Sequence, residues 1–145
     1  MTDQTAQTTA EEAVWERRLV LFLRLCALIT GFAIVPVFFP LPWMDDIHVQ
    51  LIGQKLPQGP IVPYLARSLS AFYAMHGGLL FVISCDVRRF APVLSFLIWT
   101  GLAFGLGLGV IDTLAGLPLQ WTVGEVFSVL ALMCVLLFLK TKARV

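Results

Sequence analysis

Four stretches of the chain run for twenty residues or so with little polar interruption, at about 19 to 39, 63 to 86, 91 to 114 and 121 to 139. Each matches the roughly 20 residues that a helix needs to cross a hydrocarbon core about 30 Å thick. The second turn, Asp86-Val-Arg-Arg-Phe-Ala-Pro92, and the third, Ala115-Gly-Leu-Pro-Leu-Gln120, are so short that the spans they join are expected to be antiparallel neighbours. Pro92 suits the first turn of the third span, where its missing N–H has no bond to lose. The pattern predicts an all-α fold, an integral membrane antiparallel four-helix bundle. Its one long connection, Pro40 to Pro63, has room for a short interfacial helix with Met44, Ile47 and Leu51 on one face. Asp45 or Asp46 is expected to cap that helix, and Pro57, Gly59, Pro60 and Pro63 to end it. The organisation expected is a polar tail at 1–18, one transmembrane domain at 19–139 and a basic tail at 140–145.

Composition agrees: of 145 residues, 59% are hydrophobic and 13% charged, and the mean hydropathy of +0.88 sets the chain apart from soluble domains. The first apolar run follows the acidic tail Thr2 to Glu12 and ends at Phe38-Phe39-Pro40-Leu41-Pro42-Trp43, with no small-residue cleavage pattern, so it reads as a retained span. A formal net charge of +1 without a clustered basic face leaves no footprint for nucleic acid. Arg17 and Arg18, Arg88 and Arg89, and Lys140, Lys142 and Arg144 all fall on one side of the four spans, while the other side has only Lys55. Because Lys and Arg in short loops stay cytoplasmic, both termini are expected there. Cys26, Cys85 and Cys134 sit one per apolar run without C-x-x-C or C-x-x-H spacing, which suggests neither a disulfide framework nor a metal site.

Charge within a membrane usually faces protein and pairs, and so marks a candidate functional site. Arg67, Asp112 and Glu125 come from three different spans, yet a rise of about 1.5 Å per residue puts each roughly 3 to 6 Å inside the outer boundary. Two carboxylates and one guanidinium leave an excess of negative charge, which a proton, a donor such as Tyr64, Ser68 or Trp121, or a cation or basic ligand group would complete. Gly101, Gly105 and Gly109 recur every four residues on the third span, a stripe along which a helix of the same chain or of another copy can approach closely. At about 100° per residue, Asp112 falls on the same face.

The second span carries a further polar face, with Ser70, Tyr73, Gly77 and Ser84 within about 60° of one another and His76 beside them. His76 lies about 13 Å deeper than Arg67, near mid-membrane. A hydrogen-bonded neutral imidazole or a proton relay fits it. Axial ligation of a haem or pigment is disfavoured, because His48, the only other histidine, lies in the outer loop; no cofactor is expected. On the other side, Arg24 and Asp86 are placed to form an ion pair fixing the register of the first two spans.

The run Ile61-Val-Pro-Tyr-Leu-Ala-Arg67-Ser68-x-Ser70-Ala71-x-Tyr73-Ala74-x-His76-Gly77-Gly78, followed by Asp86-x-Arg88-Arg89, resembles small multi-pass bacterial membrane proteins of unknown function. The similarity extends through Ile111-Asp112-x-x-Ala-Gly-x-Pro118 and Glu125, over about residues 40 to 130. It implies a four-helix bundle in a bacterial inner membrane and carries no activity with it. The shortage of catalytic groups weighs against an enzyme. The function expected is a membrane subunit or scaffold, associating with itself or with a larger complex in the bilayer. The alternatives are a small-solute or proton-coupled transporter, and an enzyme modifying a lipid or isoprenoid with Asp112 and Glu125 as acid and base.

Overall fold

The structure is a computed structural model that describes residues 2–53, 55–57 and 59–145, without the side chains of residues 2–9, 51 and 52. The described residues form six helices: α1 (Thr2–Gly31), α2 (Ile34–Val37), α3 (Leu41–Ile52), α4 (Ile61–Cys85), α5 (Ala91–Ala115) and α6 (Leu119–Ala143). Four segments, Ala10–Val37, Ile61–Cys85, Ala91–Ala115 and Leu119–Ala143, are long and apolar enough to cross a membrane. They overlap the four apolar runs, the first beginning nine residues ahead of the run expected at 19.

The helix ends follow from local chemistry. Pro92 occupies the first turn of α5, and Gly116 closes it in the left-handed region at φ 70°. There the Leu117 N–H reaches back to the Asp112 carbonyl at 3.0 Å, a Schellman closure in which glycine avoids the Cβ penalty. The first apolar run departs from the uninterrupted span expected for it. It breaks at Phe32 and Ala33 before the short α2. Pro36 explains the break, because it has no N–H to give the Phe32 carbonyl and its ring crowds that group. In the opposite direction, α1 runs back through most of the polar tail to Thr2.

A short helix does form in the long connection, but neither Asp45 nor Asp46 caps it. Pro40 occupies the N-cap and makes no side-chain cap bond. Asp45 sits a turn inside, where its Oδ1 accepts the Leu56 N–H at 2.7 Å and ties the following loop back to α3. The helix ends at Gly53, φ 78°, ahead of the proline and glycine run expected to end it. The side chain of Leu51, third member of the expected apolar face, lies outside the described residues.

The chain forms two compact units, Met1–Phe22 with Ile83–Val145, and Leu23–Val82. In the first, α5 and α6 pack antiparallel: Gly101, Gly105 and Gly109 face Met133, Leu130 and Val126, so partners descend along α6 as the glycines ascend α5. Leu19, Ile83, Leu94 and Ile98 are fully buried. The start of α1 is held in this unit by Trp15 edge-on to Phe138 at 5.7 Å. Two ion pairs add to it, Glu16 with Arg88 at 2.7 Å and Glu12 with Arg144 at 2.6 Å. The hydrogen bond to Glu16, and then that residue's charge, hold the Arg88 guanidinium above the usual arginine range, so it stays charged at any accessible pH. In the second unit, α1 and α4 cross with Gly77 against the backbone of Ala27 and Gly31, and Leu23, Cys26, Ala27 and Leu80 are buried.

Candidate functional site

Two members of the outer polar trio, Arg67 and Glu125, are engaged within their own units. Arg67, in the Leu23–Val82 unit, donates from Nη2 to the Phe39 carbonyl at 3.0 Å. That carbonyl opens the Pro40-Leu41-Pro42 turn, where proline nitrogens offer no N–H, so an arginine donor replaces a missing main-chain one. Glu125, half-buried on α6, accepts the Trp121 indole N–H at 3.1 Å from one turn earlier.

Asp112 differs from both. It follows Gly105 and Gly109 on α5 and is only 4% exposed. Its Oδ2 is buried and has no hydrogen-bond partner among the described residues. An unmade bond of this kind costs about 1–3 kcal/mol. Chemically the oxygen is an open acceptor, suited to a proton donor or a cationic group. The neighbouring Thr113 contributes nothing to it, since its hydroxyl donates to the Gly109 carbonyl at 2.6 Å.

On α4, Ser70 and His76 are half-buried, Gly77 and Ser84 buried, and Tyr73 is 42% exposed. The face expected to be polar therefore has a mixed environment, with its aromatic hydroxyl member turned outward. Asp86 Oδ1 accepts the Arg89 N–H at 3.0 Å and caps its own turn. Arg24 is exposed and lies at one end of an apolar groove of about 710 Å³ bordered by Ala27, Gly31, Ala74 and Gly78. The three cysteines are free thiols, Cys26 buried and Cys85 and Cys134 exposed. Among the described residues, no group of three His, Cys, Asp or Glu side chains is placed to hold a metal ion.

Three features escaped the reading of the sequence. The Gly77 crossing had a signal in the small pair Ala27-x-x-x-Gly31 opposite Gly77. Glu12 and Glu16, four apart and so on one helix face, are placed to reach two cations, but partners 132 and 72 residues away leave no local mark. The third feature is a small-residue stripe on α6. Gly124 and Ser128 are exposed, a Cβ at Gly124 would meet nothing within 4 Å, and the Ser128 hydroxyl turns back to the Gly124 carbonyl at 2.7 Å.

No protein-family model, curated protein or solved structure matches the chain.

Proposed function

We propose that the protein is a non-enzymatic integral membrane subunit or scaffold that associates through helix packing with a second copy of itself or with a larger membrane complex. It would sit in a bacterial inner membrane with both termini cytoplasmic. The observation that carries association is the outward face of α6. At about 100° per residue, Trp121, Gly124, Glu125 and Ser128 share one side of the helix. Gly124 and Ser128 are uncovered there, while Glu125 has the Trp121 indole as its donor. Between lipid-facing helices, small residues four apart permit close approach, and polar groups beside them find partners across the contact. The α5 stripe is unsuited to this role, since Met133, Leu130 and Val126 of the same chain occupy it.

Crosslinking in native membranes, followed by native mass spectrometry in mild detergent, tests the reading. Wild type is expected to yield dimers or a larger complex, and Gly124→Leu to reduce them at least fivefold. Monomers alone, or assembly indifferent to Gly124→Leu, would overturn it.

One observation favours a second reading, solute or proton handling or lipid chemistry at Asp112 and Glu125: the open acceptor on Asp112. On this reading Asp112→Asn and Glu125→Gln abolish uptake into vesicles or turnover of a lipid that copurifies with the protein. Unchanged uptake and turnover would remove both carboxylates from any mechanism.

A further inference from the structure

The groove on the Leu23–Val82 unit joins an apolar trough to a free cation. Its walls come from α1 and α4, its floor from the close crossing at Gly77, and Arg24 stands at one end. Among the described residues, Arg24 has no ion-pair or hydrogen-bond partner. Side chains on a helix lean toward its N-terminus, so Arg24 leans toward the membrane surface from which α1 enters. From there the trough runs along Arg24 to Ile34 on one wall and Phe81 to Ala74 on the other. These are steps of ten and seven residues, about 15 Å and about 10 Å.

We propose that this groove seats an acyl chain of an anionic phospholipid from the leaflet that α1 enters from its N-terminal side, with the lipid phosphate on Arg24. Length decides between occupants. A trough of about 10 to 15 Å is no longer than one leaflet of roughly 15 Å, half of the hydrocarbon core, whereas a membrane-crossing helix would run the full thickness of about 30 Å. Charge selects the headgroup, because an unpaired guanidinium at the lipid surface matches a phosphate bidentately and favours lipids without a competing ammonium. The small walls at Gly31 and Gly78 leave the space, since a Cβ at either position meets nothing within 4 Å. The inference rests on the membrane-spanning reading and not on self-association.

The full-length protein, delipidated in mild detergent and titrated with phosphatidylglycerol or phosphatidylcholine, is read by native mass spectrometry. A single phosphatidylglycerol adduct is expected, at least fivefold more abundant than the phosphatidylcholine adduct. Arg24→Gln should bring the two lipids level, and Gly78→Leu should deplete both adducts at least fivefold. Gly31→Leu provides a second fill of the trough should Gly78→Leu lower the unfolding temperature. Gly124→Leu, which tests association, should leave the lipid adduct unchanged, so the two readings fail separately. Equal binding of both lipids unaffected by Arg24→Gln would overturn the proposal. So would adducts that survive both groove-filling variants, or a dimer that those variants dissolve, which would put a second copy in the groove.

Discussion

Where α5 packs on α6, the glycines receive side chains; where α1 crosses α4, Gly77 receives backbone. A Cβ at Gly105 would come within 2.9 Å of Leu130 Cδ2 and 3.1 Å of Val129 Cγ1, and one at Gly101 would collide with the Met133 thioether. A Cβ at Gly77 would meet the Gly31 nitrogen at 2.5 Å, the Ala27 carbonyl oxygen at 2.8 Å and the Gly31 Cα at 2.9 Å. Side chains can change rotamer, whereas main chain yields only if the helices separate. The lone glycine is therefore the more demanding one. Regular spacing reports a surface that permits close approach, and what the approaching helix presents determines how strictly glycine is required.

Alanine substitutions give this contrast a graded form, read as thermal unfolding of the purified protein in detergent. Gly77→Ala should have the largest effect, a loss toward the upper end of the roughly 1–3 kcal/mol typical of overpacking, only partly offset by the gain of about 1 kcal/mol in helix propensity. Gly105→Ala should lose less, about 1 kcal/mol, since the groups that must shift, Leu130 and Val129, are side chains and not main chain. Gly101→Ala should fall within about 0.5 kcal/mol of wild type, because the unbranched Met133 side chain repacks readily. Gly109→Ala, whose Cβ would lie an ordinary 3.5 Å from Val126 Cγ2, should hold or gain up to about 1 kcal/mol. A loss for Gly105→Ala exceeding that for Gly77→Ala would break the comparison.

The four membrane-length helices were legible because length and apolarity are carried by the residues themselves, and Pro92 and Gly116 mark ends through backbone rules that act locally. The break at Phe32 was harder to read, because the proline responsible lies four residues downstream within an apolar run. The site was legible in identity more than in bonding. Arg67 stands out as charge in an apolar helix, yet its partner is a main-chain carbonyl whose need arises from the proline turn after Phe39. The spacing of Asp112 from the α5 glycines marks its face, but a missing donor depends on what surrounds it in three dimensions. The α6 stripe was hidden for a similar reason: Gly124 and Ser128 gain meaning only once the chain is seen to leave them uncovered.

The contrast between an occupied stripe and an open one also locates the most direct test of association. With Cys26, Cys85 and Cys134 replaced by alanine, single cysteines are placed at Ser128 on the open face of α6 and at Phe104 on the exposed side of α5, and oxidised in native membranes. Self-association through the open face of α6 should give a covalent dimer through position 128 and little through position 104. Silence at position 128, or a dimer formed through position 104 alone, would rule out self-association through α6.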